Sequence, residues 1–318
     1  MKILEIERKS RVLTKADFGC LSGAYTINVT RGCEFKCAYC YARGYPGTPS
    51  DEIHLYVNLP RKLAQELESP RRRAPIDRVM FNTASDSFQT HPDILDVTYE
   101  AMAALLERRV GFSFLTKGWI PERFMKLFSR YPHLIIARIG LVSLSERYRN
   151  LFEPGTAPPV KRLENIDRLL ALGVHVEVRI DPVIPFYTDD HASIRQLLGA
   201  LADRNIRTVS ISYLHLRPAI LEQLRRELPP TEFNVLRSCF HNQPWTTVGA
   251  CTQSKLIPLP LRARGYARFK QHSKAFGITL LVCACKNPDM PAHKCSTAFE
   301  GKRNMKSNEA KQLSLFSC

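Results

Sequence analysis

The run Asn28-Val29-Thr30-Arg31-Gly32-Cys33-Glu34-Phe35-Lys36-Cys37-Ala38-Tyr39-Cys40-Tyr41-Ala42-Arg43 sets three thiols within eight residues, directly after a segment that reads as a strand. A loop that short can bring all three sulfurs to one metal centre. Thiolates are the usual ligands of iron–sulfur clusters, and three of them on a four-iron cluster leave one iron open to another ligand, where chemistry can occur. A structural zinc ordinarily takes four protein ligands. Here the next histidine along the chain is His54 and the next cysteine is Cys239.

A second group of cysteines lies towards the C-terminus. Ile278 to Val282 reads as a strand running into Cys283-Ala284-Cys285, and side chains two apart on a strand face the same side. Cys295 follows, Cys251 lies upstream as a fourth ligand and His293 is an alternate. The set suits a second iron–sulfur cluster or a structural zinc, either of which would staple a segment too small to build much core of its own. The alternative is a group of buried thiols acting as small apolar residues. Between these cysteines, Arg262-Ala263-Arg264-Gly265-Tyr266-Ala267-Arg268-Phe269-Lys270 interleaves cations with aromatic rings. Such a stretch can neutralise phosphates and stack on unpaired bases, or on a helix its rings can simply be core.

The elements that must position these groups are legible from periodicity. Apolar, β-branched segments recur at Tyr25–Thr30, Ile76–Phe81, Gly111–Thr116, Leu134–Leu141, Val174–Ile180 and Arg207–Tyr213. Helical segments separate them, with Leu163, Ile166, Leu169 and Leu170 on one face, and Ile194, Leu197, Leu198 and Leu201 on another. Strands alternating with helices predict a parallel α/β sheet, here an open or partial (β/α)6 TIM-type barrel with ligands at the C-terminal ends of its strands. Gly173 is the expected stop of the helix over Lys161–Leu172. The rhythm changes near Ser238, where Pro and Gly become frequent. The expected organisation is therefore an N-terminal extension over 1–24, a partial barrel over 25–237, a small basic cysteine-containing appendage over 238–300, and a polar tail over 301–318.

The CxxxCxxC spacing, with Tyr39 before the last cysteine, resembles the signature of the radical S-adenosylmethionine (SAM) superfamily. The stretches RGCEFKCAYCYAR, SDSFQ (Ser85–Gln89), LTK ending at Lys117, LFEPGTAPPVKRL (Leu151–Leu163) and DPVIPFYTD (Asp181–Asp189) narrow the resemblance to the branch related to spore photoproduct lyase, over about Tyr25 to Asp189. That resemblance implies a 4Fe-4S cluster on Cys33, Cys37 and Cys40, with SAM chelating the open iron and cleaved by an electron to methionine and a 5'-deoxyadenosyl radical. An electron donor such as flavodoxin or ferredoxin is implied with it. By similarity, Tyr39, Ser85, Asp86, Ser143 and Arg179 would contact SAM, although Asp86 and Ser143 could equally cap the helices that follow them. There are two departures from the branch. The chain has no cysteine between Cys40 and Cys239, where spore photoproduct lyase uses one as hydrogen donor, which leaves Cys239 and tyrosines such as Tyr213 as donor candidates. Thr90-His91 also stands where many relatives carry Pro-x-Glu.

The C-terminal Gln312-Leu313-Ser314-Leu315-Phe316 resembles the pentapeptide by which bacterial repair and replication proteins dock on the sliding clamp. Its leucines and phenylalanine suit apolar pockets, and a flexible tether leaves an enzyme free to move. The alternative is that Leu313, Leu315 and Phe316 pack back on the body. The formal charge is +16, and twelve Lys or Arg against three acidic residues lie between 251 and 318. Such a balance suits a polyanion, DNA first. With no secretory signal and no membrane-length apolar run, the expected compartment is the cytoplasm and the cysteines belong to metal or redox chemistry. Three functions follow: a radical SAM enzyme acting on DNA in repair or base modification, the same chemistry on a peptide, tRNA or small molecule, or a zinc-stabilised nucleic-acid-binding protein without catalysis.

Overall fold

The computed structural model describes residues 1–16, 21–70, 75–248 and 252–293. Its main body is an eight-stranded sheet. Strands β3 (Tyr25–Ile27), β6 (Arg78–Phe81), β7 (Gly111–Thr116), β8 (Ile135–Gly140), β9 (His175–Val183) and β10 (Thr208–Tyr213) lie side by side in chain order, each parallel to the next. These are the six strands that the periodicity predicts. A short antiparallel strand, β2 (Thr14–Lys15), closes one edge. The other edge carries a seventh parallel strand, β13 (Thr279–Val282), which pairs with β10 from Thr208 opposite Thr279 to Ile211 opposite Val282. The six-strand count left it out, because its pairing with β10 spans about seventy residues of chain and leaves no local signal. The sheet stays open between β2 and β13. Strands β1 (Lys2–Ile6), β4 (Thr30–Arg31) and β5 (Glu52–Tyr56) form a smaller sheet beside it, and β11 (Thr246–Val248) with β12 (Thr252–Ser254) makes a hairpin.

The strand alternation sorts residues between two faces. Val79, Phe112, Phe114, Ala137, Ile139, Val178, Ile180, Val209 and Ile211 point to the face covered by helices and are buried. The other face is polar and narrow. Ser113 donates to the Met80 sulfur at 3.2 Å, and Arg138 pairs with Glu177 at 2.7 Å. The helices, α1 (Leu59–Glu68), α2 (Pro92–Glu107), α3 (Glu122–Phe128), α4 (Glu146–Phe152), α5 (Pro159–Ala171), α6 (His191–Ala202), α7 (Pro218–Glu227), α8 (Pro230–Ser238) and α9 (Leu259–Ala275), follow from ordinary start and stop signals. Among them α2, α5, α7 and α8 begin with proline at their first turn, where its missing N–H costs nothing and its fixed φ already fits the helix. Gly173, with φ of +74° just past α5, is the stop that its sequence position predicts.

Helix α9 (Leu259–Ala275) packs its Tyr266 and Phe269 inward, at 5% and 0% exposure, so in the Arg262–Lys270 stretch these rings are core and do not stack on bases. Arg262 of the same stretch is also buried, reaching Asn287 at 2.8 Å and pairing with Asp289. Gly265 is what lets α9 sit on the sheet, since a Cβ there would stand 1.6 Å from the Tyr213 hydroxyl oxygen. Tyr213 is fully buried and cannot move aside. Gly265→Ala should therefore destabilise the fold by about 2 kcal/mol or more through overpacking, as read from the urea midpoint. An unchanged midpoint would mean that α9 does not close on β10.

Candidate active site

Apart from the two-residue strand β4, the loop between β3 and the 3-10 turn at Tyr41–Gly44 has no regular secondary structure, so its shape is imposed by neighbours. Ala38 N–H donates to the Phe152 carbonyl at 2.9 Å, Gly155 N–H to the Phe35 carbonyl at 3.2 Å, and Glu34 N–H to the Gln89 side-chain oxygen at 2.9 Å. From the other side, Gln223 of α7 donates to the Cys40 carbonyl at 3.1 Å. Arg43 spans the Cys37 carbonyl, at 3.3 Å, and the Glu227 carboxylate. Close approach requires glycine at two places: a Cβ on Gly155 would lie 2.7 Å from Glu34 O, and one on Gly118 would lie 2.4 Å from Phe88 O.

Cys33, Cys37 and Cys40 are all partly buried on this loop. Burial, with Asp86 next, pushes the Cys33 thiol well above its usual range, and burial with Glu153 next does the same to Cys37. Cys37 and Cys40 each add to the shift of Cys33, which puts the three sulfurs within electrostatic reach of one another. Cys33 and Cys37 in this setting stay protonated unless a cation draws the proton off, and a bound metal does so. Among the described residues no three His, Cys, Asp or Glu side chains close on a single ion. A cluster asks for less convergence, because each thiolate binds a different iron.

Directly behind the loop lies an ion pair that the sequence reading did not single out. Glu153 and Arg162 are 1% and 2% exposed and 2.6 Å apart. The Tyr39 hydroxyl donates to the same carboxylate, and the Tyr148 hydroxyl does so at 3.4 Å. Burial alone would raise the Glu153 pKa, yet Arg162 and then Lys117 bring it below the ordinary carboxylate value. Tyr39, expected to touch SAM, therefore has its hydroxyl committed to Glu153. The Lys117 ammonium lies 5.6 Å from the Tyr39 ring centroid, in space that exists because position 140 is glycine: a Cβ there would meet the lysine Nζ at 3.3 Å. The motifs LFEPGTAPPVKRL and LTK contained these residues. Only the fold shows that they meet.

The other residues expected at SAM fall into different settings. The Ser85 hydroxyl is buried without a hydrogen-bond partner in the protein, as a ligand contact waiting for its ligand would be. Asp86 is the opposite case, since it accepts from Phe88 N–H at 2.9 Å, Thr116 Oγ1 at 2.7 Å and Lys117 N–H at 2.8 Å, bracing the end of β6 against the end of β7. Ser143 accepts from Ser145 N–H at 3.1 Å, while Ser145 itself caps α4 (Glu146–Phe152). Arg179 lies on β9 and donates to Asp181 at 2.9 Å.

Asp181 is the centre of a second charged group at the C-terminal end of β9. Its carboxylate accepts from Lys286 at 2.6 and 2.8 Å and from Ser212 at 2.8 Å as well as from Arg179. Burial would raise its pKa, but Lys286 and Arg179 together hold it well below the usual carboxylate range. His215 beside it is pushed down to about 3, by burial first and by Lys286 second, and is neutral at physiological pH. Lys286 follows the second cysteine group, where the Cys283 and Cys285 sulfurs lie 3.0 Å apart and Cys283 forms a bridge with His293. Cys251 and Cys295 lie outside the described residues, as do Gln312, Leu313, Leu315 and Phe316.

The hydrogen-donor candidates need one correction. Tyr213 faces α9, on the opposite side of β10 from Ser212, and its hydroxyl donates to Asp189 at 2.8 Å. The alternation of the strand thus turns Tyr213 away from the polar face, and it is not retained as a donor. Cys239 ends α8 with its sulfur against the Val235 carbonyl at 3.4 Å, and burial raises its pKa to about 11. The rim also holds Phe186, 64% exposed with a φ of +67°. That backbone is strained for a bulky residue, and the Asp189 carboxylate holds it by accepting Phe186 N–H at 2.7 Å.

With three thiols on a braced loop at the C-terminal rim of a parallel partial barrel, comparison with known proteins decides the family. The radical SAM superfamily model matches residues 27–198. The chain belongs to the radical SAM superfamily. An uncharacterized protein of Mycobacterium tuberculosis is 30% identical over 225 residues, 67% of this chain and 65% of that protein, so the match leaves about a third of the relative uncovered. Among solved structures, spore photoproduct lyase complexed with dinucleoside spore photoproduct superposes with a TM-score of 0.68 at 17% identity, over 88% of this chain and 82% of that one. A radical SAM methyltransferase from Sphaerobacter thermophilus gives 0.52 at 17% identity, over 82% and 66%. At such identities the likeness is one of fold. For a radical SAM protein, the family implies a 4Fe-4S cluster and SAM, and the donor set fits them: three thiols, an unpartnered Ser85 hydroxyl and the nearby Lys117 ammonium. Among the described residues no helix is long and apolar enough to cross a membrane.

The Asp181 group sets a pH dependence. Because its folded pKa lies below the unfolded one, its stabilisation is complete above the unfolded carboxylate value of about 4 and fades as pH falls towards the folded value. Asp181→Asn should lower stability at neutral pH by on the order of 3 kcal/mol, since Lys286 and Arg179 lose their counter-charge, and should flatten the acid limb of the stability curve. Urea unfolding at a series of pH values checks both. An acid limb as steep as that of the wild type would remove Asp181 from this role.

Proposed function

We propose that this chain is a radical SAM enzyme that acts on DNA, in repair or base modification. The observation that carries the first half is the loop holding Cys33, Cys37 and Cys40, braced by the Phe152–Gly155 turn, Gln89 and Gln223, together with the unpartnered Ser85 hydroxyl. A 4Fe-4S cluster held by those three thiols would supply one open iron and an electron for reductive cleavage of SAM to methionine and a 5'-deoxyadenosyl radical. The protein's own part is to position and to shield. Ser85 offers a hydroxyl to the cofactor's polar groups, and Lys117 and Arg179 offer cations to its carboxylate. Asp86 and the Glu153–Arg162 pair keep the loops that carry these groups from shifting. The tight approach of Gly155 to the Glu34–Phe35 backbone, and of Gly118 to Phe88 and the Phe35 ring, holds the cluster loop against its neighbours.

The DNA half rests on charge and on likeness. The net charge of +16 favours a polyanion, and the fold is that of spore photoproduct lyase, a solved complex of which holds dinucleoside spore photoproduct. The Gln312–Phe316 peptide would tether the enzyme to a sliding clamp, and a flavodoxin- or ferredoxin-type protein would deliver the electron.

The test uses anaerobically reconstituted protein, reductant and SAM, with and without damaged and undamaged oligonucleotides. The wild type should form 5'-deoxyadenosine and change the mass of a nucleoside in the DNA, while Cys37→Ala should lose iron and sulfide and fall to background. 5'-Deoxyadenosine formation by Cys37→Ala at the wild-type rate would show the site to be misplaced. Its formation by the wild type with every nucleoside left intact would end the DNA assignment.

A further inference from the structure

A cavity of about 670 Å³ opens between the start of α7 and the end of α8. Its volume falls in the range of small-molecule sites. Its floor is apolar, with Leu216 and Phe240 at 3% and 2% exposure. Its walls are Arg237, Lys255 and Trp245, and no Asp or Glu lines it. Trp245 is 42% exposed, an unusual state for so large an apolar side chain, and Lys255 Nζ stands 5.3 Å from its ring centroid. An aromatic face held at the edge of a cationic cavity with an apolar floor matches a ligand with a flat ring at one end and an anionic group at the other.

The cavity is also joined to the candidate active site. Leu216 exchanges backbone hydrogen bonds with Lys255, at 3.0 and 2.8 Å, which fixes the floor against the wall. The next residue, Arg217, lies 5.3 Å from the ring centroid of Tyr41, and Tyr41 directly follows Cys40. The Tyr41 hydroxyl in turn donates to the Thr83 carbonyl at 2.6 Å, two residues before Ser85. Two cation–aromatic pairs, Lys255 on Trp245 and Arg217 on Tyr41, therefore lie between the cavity and the cysteine loop, joined through the Leu216–Lys255 backbone pairing. Rings set beside cations are how single strands are gripped without sequence preference: rings stack on bases while cations follow the phosphates.

We propose that the Trp245 cavity binds a nucleotide of single-stranded DNA flanking the one presented to the cysteine loop, with the base stacked on Trp245 and its phosphates met by Lys255 and Arg237. The inference rests on the DNA reading above and specifies where the strand is held. It assigns the cavity a binding role separate from SAM cleavage.

The chain has two tryptophans, Trp119 and Trp245. Trp119 lies elsewhere, under Lys161 and Arg168, so in Trp119→Phe protein the remaining emission reports the cavity. Titration of the full chain with short oligothymidylate should quench that emission saturably, whereas inorganic polyphosphate should compete for the site without the same quenching. Trp245→Ala should weaken oligothymidylate binding about tenfold or more, the loss expected for one stacked base, and Trp245→Phe should recover part of it. Lys255→Ala should lower affinity and reduce the salt slope by about one counterion. Unchanged affinity in Trp245→Ala, or emission unmoved at saturation, overturns the proposal, and matching melting curves keep misfolding from mimicking a loss. Failure of the wider reading looks different. Quenching by oligothymidylate with no nucleoside altered in turnover leaves the cavity assigned and removes DNA modification. Nucleoside modification at wild-type affinity in Trp245→Ala does the reverse.

Discussion

The cysteine loop carries no secondary structure able to hold three sulfurs in place, so the site depends on what presses against it. The central contact is the buried Glu153–Arg162 pair, to which Tyr39 anchors the loop from behind. A carboxylate taken out of water is tolerated only with its counter-charge and hydrogen bonds in place, and here Arg162, Tyr39 and Tyr148 provide them. The same arrangement commits the region to one geometry. Neither partner can leave without stranding the other, and both lie on elements that follow β8, far along the chain from the cysteines.

That distance explains which parts could be read from residues alone. Six strands, the helices between them and the Gly173 stop are written in local periodicity, and the cysteine triplet in local spacing. The Glu153–Arg162 pair is not, because its members belong to a motif whose residues meet Tyr39 only once the sheet and its helices have assembled. β13 was legible as a strand but not as the seventh member of the main sheet, since parallel pairing across so many residues has no local trace. Tyr213 shows the limit for single residues. Its type suits hydrogen transfer, but its place in the alternation of β10 turns it towards α9, where Gly265 makes room for it.

The C-terminal region is bound into this architecture by charge as well as by pairing. Lys286, just past Cys285, reaches back to Asp181 at the end of β9, and Arg268 of α9 pairs with Asp189 at 2.8 Å. Asp189 in turn holds Phe186 at the rim. Residues from the last sixty of the described chain therefore help to shape the mouth of the barrel. Arg268 and Lys286 are thus consumed there by buried carboxylates.

Electron paramagnetic resonance of the anaerobically reconstituted, reduced chain, recorded before and after adding SAM, tests the central claim most directly. Coordination by Cys33, Cys37 and Cys40 with one iron left for the cofactor predicts a reduced 4Fe-4S signal whose g-values shift when SAM binds. A reduced chain with no cluster signal, or one whose spectrum is indifferent to SAM, would contradict it.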